Sequence, residues 1–281
     1  TIPNFDSGFP VDFALNKWTS TTSDWYAGAR LIQEKRLEPN TSDEEITAAR
    51  WVFDSNAGWN DFSTFDSGTQ SWMWKRHAGF DVVTYQGDDV SGRQIPHGLS
   101  KTPEMMWIKC RNNAYEWVCY HKGMNGGTNP EQYYALLNDT GTQLDRASGF
   151  NDTAPTSTHF TLGDANRVNG DYDYIAMLFA SVDGISKVGY YAGSNSTQTI
   201  TTGFQPRFVI IKNITESGSD WAVFDTVRGW GSGIDERLKL NSNADQNDDD
   251  DVGAPTSTGF TVNNIGFVNE SGANYIYYCH A

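Results

Sequence analysis

The feature that most constrains the fold of this chain is an internal repeat, because a regular period means that one structural unit recurs. Residues 79–87 match residues 184–193, and in both copies a run of strand-forming residues ends at a glycine. Further along, Pro103–Lys109 matches Pro206–Lys212, and Pro10–Asn16 is a third copy of that segment. The sequence therefore predicts three divergent copies of one unit of about a hundred residues.

An acidic residue followed by tryptophan fixes the register of the copies. The pair lies 15, 14 and 15 residues after the matched prolines, as Asp24-Trp25, Glu116-Trp117 and Asp220-Trp221. Each copy then closes on an aromatic-rich strand, so we place the units at residues 1–78, 79–182 and 183–281. These ranges are called the first, second and third unit below.

The first unit is N-terminally incomplete. Thr1 aligns with Thr199, so the counterpart of the opening strand at residues 184–193 is missing. Either an upstream part was removed, or another chain supplies the strand by pairing with an exposed sheet edge. The units otherwise join almost without linkers, which predicts a stiff rod.

Composition and spacing predict an all-β chain of three tandem β-sandwich-like repeat units, the first lacking its opening strand. Aromatic residues make up 14% of the chain and there are 27 glycines, which is typical of short strands joined by tight turns. Residues 82–86 alternate with the period of a strand, and Phe208–Ile211 is typical of a strand covered on both faces. One short helix is predicted at Ser42–Arg50, where Ser42 and Glu45 have the spacing of a capping box.

The net charge and the lack of apolar segments exclude several classes of partner. A formal net charge of -15 without Lys or Arg clusters argues against nucleic acid and anionic membrane surfaces, since phosphates attract grouped cations. No apolar run approaches the ~20 residues that span a bilayer, and the first residues do not have the pattern of a signal peptide. We therefore expect a soluble chain without membrane insertion.

No motif of a catalytic or cofactor-binding site is present. The chain has no nucleophile elbow, metalloprotease helix, phosphate loop or dinucleotide fingerprint, so we predict no enzyme, no catalytic residue and no cofactor. The acids Asp24, Glu116 and Asp220 recur in every unit, which a single catalytic carboxylate pair would not do.

Two other features leave alternatives open. The acidic run at residues 245–251 is interpreted as a solvated loop, with a calcium site as the alternative, and no metal is predicted. Cys110 and Cys119 lie in neighbouring predicted strands, either as free small hydrophobes or as a bonded pair. An odd total of three cysteines does not indicate a disulfide framework.

The ten tryptophans raise the question of glycan binding, because aromatic faces stack on sugars. Three of them recur in register, as core residues do: Trp25, Trp117 and Trp221. Three that do not recur are the candidate ligand-binding residues: Trp18, Trp59 and Trp230. Trp230 is the first choice, because the glycines that flank it in Arg228–Gly233 make burial harder to arrange.

Several segments resemble a repeat that is common in predicted tail and fibre proteins of marine and cyanobacterial bacteriophages. The resemblance covers residues 79–281 well and residues 1–78 more loosely, where the Pro-Thr-Ser-Thr segment is missing. It implies a virion surface component and carries over no catalytic residues. The segments are Gly79–Tyr85, Ile95–Leu99, Pro103–Met105, Tyr120–Lys122, Asn151–Thr158, Phe179–Gly189 and Phe204–Lys212.

The leading hypothesis is a non-catalytic virion structural or adhesion protein, such as a phage tail fibre or appendage at the virion surface or outside the cell. Its expected partners are other virion proteins, copies of itself in a homo-oligomer such as a trimer, and a cell-surface glycan. One alternative is an exported carbohydrate-binding or carbohydrate-degrading module. Another is a filament or capsid-decoration subunit whose missing strand is donated by a neighbour.

Overall fold

The computed structural model describes residues 3–61 and 68–281, and all of its paired strands are antiparallel. The prediction of an all-β fold is confirmed. Within the described ranges the α-helices are three single turns, none of them long or apolar enough to cross a bilayer. They are Ala147–Phe150 (α1), Asn166–Asn169 (α2) and Gly266–Asn269 (α3), and 3₁₀ turns lie at Arg30–Ile32, Met124–Gly127, Pro130–Gln132 and Thr226–Arg228.

The first unit contains eight strands in its described part. They form a three-stranded sheet of order β3-β2-β8, a second one of order β1-β7-β6, and the pair β4-β5. The strands are Phe5–Asp6 (β1), Phe13–Trp18 (β2), Tyr26–Ala29 (β3), Lys35–Arg36 (β4), Ile46–Thr47 (β5), Trp51–Val52 (β6), Gly58–Asp61 (β7) and Thr69–Trp74 (β8).

The helix predicted at Ser42–Arg50 is wrong, because this segment is extended and contains β5. Its backbone is bound from two sides: β5 pairs with β4, and the N–H of Glu45 donates to the carbonyl oxygen of Arg111 at 2.7 Å. The Glu45 carboxylate also forms an ion pair with Arg111 at 2.8 Å. These contacts outside the segment outweigh its local helical propensity.

The second and third units each contain a six-stranded sheet with the same order of equivalent strands. That order is β14-β13-β12-β11-β16-β9 in the second unit and β22-β21-β20-β19-β25-β17 in the third. The second unit's strands are Phe80–Gln86 (β9), Arg93–Pro96 (β10), Met105–Cys110 (β11), Val118–His121 (β12), Tyr133–Leu136 (β13), Leu144–Asp145 (β14), His159–Leu162 (β15) and Asp173–Phe179 (β16). The third unit's are Ser186–Ala192 (β17), Gln198–Thr201 (β18), Phe208–Asn213 (β19), Trp221–Asp225 (β20), Asp235–Lys239 (β21), Asn247–Asp250 (β22), Pro255–Thr256 (β23), Gly259–Val262 (β24) and Asn274–His280 (β25).

The start of the first unit aligns differently in space than in sequence. The sequence alignment put Thr1 and Ile2 opposite Thr199 and Ile200, but Thr1 and Ile2 lie outside the described residues. Phe5 takes the place of Ile200 instead, because it faces an aromatic residue on the next strand in the same way. The equivalent pairs are Phe5 with Trp59, Ile95 with Phe160, and Ile200 with Phe260.

Each large sheet buries both of its faces. Along β11, Met105 and Trp107 point into one hydrophobic cluster, whereas Met106 and Ile108 point into another. The first cluster is central and contains residues of all three units, such as Phe13, Met105 and Phe208. The other faces form three separate outer clusters, one in each unit. A strand buried on both faces is expected to be mostly apolar, as β11 is apart from Lys109.

The three units close into a ring, so the stiff rod predicted from their short joins is wrong. The first unit contacts the third: the N–H of Ser23 donates to the carbonyl oxygen of Asn243 at 2.9 Å, and that of Gln246 donates to Thr19 at 2.8 Å. A linear row of units would separate these residues. The shared central cluster makes the described part of the chain one compact structure.

Candidate functional site

The recurring tryptophans connect each unit to a neighbouring one. All three side chains are buried, and each indole N–H donates to a backbone carbonyl oxygen of another unit. The three bonds run in one direction around the ring. They join Trp25 to Lys239 at 2.8 Å, Trp117 to Glu38 at 3.0 Å and Trp221 to Leu136 at 3.0 Å.

An asparagine lies two residues after each acceptor carbonyl. Its side-chain oxygen accepts from the backbone N–H of the recurring tryptophan in the same unit. The N–H groups of Trp25, Trp117 and Trp221 donate to the side-chain oxygens of Asn40, Asn138 and Asn241 at 2.7, 3.0 and 2.8 Å. The amide nitrogens of Asn40 and Asn241 donate in turn to Asp24 and Asp220, both at 2.8 Å. In the second unit, Glu116 instead forms an ion pair with Arg167 at 3.4 Å. The recurring acids thus have structural partners.

Three buried lysines complete these junctions, and the sequence analysis missed them as a set. Lys17, Lys109 and Lys212 are fully buried, and burial lowers the pKa of each to about 8. Each ammonium donates to a carbonyl oxygen of the neighbouring unit: Asn243 at 3.1 Å, Ser42 at 3.1 Å and Thr140 at 3.3 Å, respectively. The available signal was a lysine eight or nine residues before each recurring tryptophan.

The ends of β12 and β20 carry different polar residues at one equivalent position. His121 is buried, and its Nε2 lies 3.1 Å from the carbonyl oxygen of Tyr277 in the third unit. Burial lowers its pKa to about 3, and its Nδ1 accepts from the N–H of Gly123. The ring is therefore neutral with the proton on Nε2. Asp225 takes the equivalent position in the third unit and accepts from the indole Nε1 of Trp72 at 2.9 Å.

The three candidate ligand-binding tryptophans differ in exposure. Trp59 is fully buried, and its Nε1 donates to the hydroxyl of Ser71 at 3.1 Å. It also takes the place of Phe160 and Phe260, so an aromatic residue recurs there after all. Trp18 is half-buried, meets Tyr26 edge-on at 6.1 Å, and is the least buried residue of the three.

The expectation of an exposed indole at Trp230 is wrong, because the side chain is only 3% exposed. Its ring packs 6.3 Å from that of Phe224 and 6.0 Å from that of Phe260. Gly229 has a φ of 111°, a conformation that suits glycine and turns the chain back onto the sheet. The flanking glycines therefore enable the burial that they were expected to hinder.

The acidic run at residues 245–251 is largely exposed, as predicted from sequence, but four of its residues form a strand rather than a loop. Asn247–Asp250 forms β22 at the edge of the third unit's sheet and pairs with β21. Asp250 lies 3.9 Å from Arg237, and Asp251 accepts from the side chain of Asn263 at 2.9 Å. Across residues 3–61 and 68–281, no group of three or more His, Cys, Asp or Glu side chains is arranged to hold a metal ion.

Cys110 and Cys119 are free and buried. They lie on opposite faces of the sheet, Cys110 in the outer cluster of the second unit and Cys119 in the central cluster. A disulfide between them would need side chains that point towards each other. Burial raises the pKa of both thiols, so both act as small apolar side chains.

A cavity of about 730 Å³ lies along the outer edge of β8. The first unit forms one wall with β8, and the third unit forms the other with residues that include Ile185, Asp225 and His280. We call this cavity the edge groove. Its floor carries Trp72 and Trp74, whose Nε1 atoms donate to Asp225 at 2.9 Å and to the hydroxyl of Tyr278 at 3.1 Å.

The ring is an all-β fold in which the outer edge of β8 lies open to the groove. Residues 34–281 match a family described as a domain of unknown function (DUF7483), and the chain belongs to that family. The match begins after β3, so it includes the second and third units and part of the first. No curated protein and no solved structure matches the chain.

Proposed function

We propose that the chain is a non-catalytic structural and adhesive module, working at a virion surface as part of a tail fibre or related appendage. The proposal of a non-catalytic role rests on the hydrogen bonds and ion pairs of the recurring polar residues. The lysines, acids and asparagines that recur in register are all bound to partners within the ring. A catalytic site would need such groups to converge on a cleft open to substrate.

The buried lysines favour a structural role in a second way. Burying an ammonium without a carboxylate partner is costly, and it is tolerated where carbonyl oxygens fix the group in one geometry. All three buried ammonium groups lie at a junction between units. We infer that they specify how the units dock, as buried polar groups do in other assemblies. A framework with fixed geometry suits repeated display on a particle.

The assignment to a virion is supported by the sequence resemblance described above. Attachment through a rigid appendage works by avidity, because several weak contacts engage together when copies are held in one assembly. We therefore propose that the chain acts as a homo-oligomer, together with other virion proteins. Its contact with the host surface is a glycan, and the half-buried Trp18 is the residue that we propose for stacking.

A glycan array probed with the intact chain tests this proposal, with light scattering to measure its mass. We expect an oligomer that retains bacterial surface glycans without cleaving them. Trp18→Ala should reduce retention about fivefold or more, since stacking contributes of the order of 1 kcal/mol. Val90→Ala is the control, because Val90 is 59% exposed on the second unit and should leave retention unchanged.

Two results would contradict the proposal. One is a strict monomer that retains no glycan. The other is the release of sugar products by an activity that persists through repurification and disappears when one carboxylate is replaced by its amide. Thermal melts of both variants show whether a lost signal reflects unfolding rather than a lost contact.

A further inference from the structure

The outer edge of β8 is equivalent to an edge that is covered in the other two units. The register shows the correspondence: Phe13 pairs with Trp74 as Met105 pairs with Phe179 and Phe208 with His280. β16 then pairs with β9 along its whole length, and β25 pairs with β17. No strand in the described part of the chain pairs with β8 on that side. An unpaired strand edge is a template for another strand.

The surroundings of this edge also resemble those of β9 and β17, each of which packs against a 3₁₀ turn of the preceding unit. β17 packs against the 3₁₀ turn Met124–Gly127 of the second unit, where Tyr190 covers Gly123 so closely that a Cβ there would lie 2.4 Å from it. β9 packs in the same way against the turn Arg30–Ile32 of the first unit. The third such turn, Thr226–Arg228, follows Asp225 at the wall of the edge groove, and its Val227 is 65% exposed.

The tryptophans on the floor of the groove limit the size of the side chains that an added strand can place against them. In the occupied sites, alternate residues of the covering strand enter the central cluster: Phe80 and Val82 of β9, and Val188 of β17 beside the buried Ser186. Phe80 and Val82 pair with Phe179 and Met177 of β16. At the two equivalent positions β8 has the bulkier Trp74 and Trp72. Larger tryptophans leave less room, so small inward side chains such as those of β17 fit better than those of β9.

The groove is lined by two exposed cations, and the carboxylates of Asp6 and Asp225 also line it. Lys75 and Arg207 line it and are exposed, and neither forms an ion pair with a carboxylate among the described residues. The chain as a whole carries a net charge of -15. The buried Nδ1 of His280, also in the lining, has no hydrogen-bond partner in the described ranges. The two cations and the His280 nitrogen can pair with an acidic residue and a backbone polar group of the occupant.

We propose that the edge groove binds an extended segment of a separate partner polypeptide, which adds to β8 as an antiparallel strand. The segment has small side chains at the two inward positions that face the floor and an acidic residue at its start, as Asp183–Ala192 of this chain has with Ser186 and Val188. Main-chain hydrogen bonds to the edge of β8 supply affinity, and the alternate side chains above Trp72 and Trp74 supply specificity. This binding site is independent of the assignment to a virion and of glycan attachment.

A synthetic peptide with the sequence of residues 183–192 is the probe, labelled with a fluorophore and titrated with the intact chain. We expect saturable binding with one peptide per chain and slower hydrogen exchange at the amides of β8. A peptide of residues 79–87 should bind more weakly, because its Phe80 competes with Trp74 for space. A Val188→Asp version of the first peptide should lose about tenfold or more, since its carboxylate would enter an apolar floor.

Two exposed isoleucines supply a matched pair of chain variants. Ile185 is 48% exposed and lines the groove, whereas Ile234 is 64% exposed and lies outside it. Ile185→Glu should weaken peptide binding about tenfold or more, because the carboxylate would be desolvated under the added strand. Ile234→Glu should leave binding unchanged. Both positions are accessible to water, so both variants are expected to fold.

Three outcomes would overturn the inference. The first is no binding of the residue 183–192 peptide to a folded chain. The second is equal loss, or no loss, in the two glutamate variants. The third is a chain that forms dimers by itself and already protects the β8 amides, which would make a second copy the occupant instead of a separate partner.

Discussion

Replacing Trp25 with alanine is expected to lower the free energy of unfolding by about 3–5 kcal/mol, as truncation of a buried aromatic does. Trp25 is fully buried in the central cluster and packs against Trp72 with ring centroids 5.4 Å apart. Its Nε1 also donates to Lys239, a bond between the first and third units. Urea denaturation followed by circular dichroism and by fluorescence measures the change. The two signals should coincide in a single transition, because all units share one core.

Two conservative variants separate the hydrogen bond from the packing. Trp25→Phe keeps an aromatic ring but leaves the Lys239 carbonyl without its donor, so we expect a loss of about 1–3 kcal/mol. Trp18→Phe is the matched control, because the Nε1 of Trp18 is buried without a partner in the described residues and its removal should cost less than about 1 kcal/mol. Equal losses in the two phenylalanine variants would contradict a ring-closing role for Trp25.

Replacing Lys109 with methionine is expected to destabilise the chain by about 2–4 kcal/mol at pH 7. The Lys109 ammonium donates to the carbonyl oxygens of Ser42 at 3.1 Å, Tyr115 at 2.8 Å and Asn113 at 3.4 Å. Methionine fills a similar volume but leaves these oxygens buried without a donor. Removing a desolvated charge offsets part of the loss. Lys101→Met is the control, because Lys101 is exposed and its substitution should cost less than about 0.5 kcal/mol.

The loss caused by Lys109→Met should grow as the pH rises. Burial lowers the pKa of Lys109 from 10.5 to about 8, so between these values the unfolded chain holds a proton that the folded chain has released. The folded wild-type chain therefore gains stability from this group as the pH increases through that window. The methionine variant lacks that gain. Urea denaturation at pH 7 and pH 9.5 should show a difference larger by about 1–2 kcal/mol at the higher pH, and a constant or shrinking difference would contradict the lowered pKa.

The all-β fold and the buried recurring tryptophans could be predicted from sequence, because both depend on local signals. Strand alternation, glycine-rich turns and an aromatic residue in fixed register all lie within one unit. Closure of the ring could not be predicted in the same way. It depends on contacts such as the one between Trp25 and Lys239, which are far apart in sequence and leave no periodic trace. The stiff rod was the natural interpretation of short joins alone.

The errors at individual residues have a common physical origin. The local pattern at Ser42–Arg50 favours a helix, but pairing with β4 and the Glu45 contact with the second unit hold it extended. Trp230 has glycine neighbours, and those glycines let its indole reach the core. Lys17 and its equivalents were overlooked because lysine is normally exposed. In each case the secondary structure or burial is set by contacts with residues distant in sequence, which the local sequence does not show.

The closed ring is tested most directly by hydrogen exchange at the three junction indoles, measured by nuclear magnetic resonance on tryptophan-labelled protein. Assignment comes from the Trp25→Phe variant and its equivalents at Trp117 and Trp221. A closed ring predicts that all three indole N–H groups exchange slowly and at rates within about tenfold, since each is released only by global unfolding. An indole N–H of Trp25 that exchanges far faster than the other two would show an open chain, with the first and third units apart.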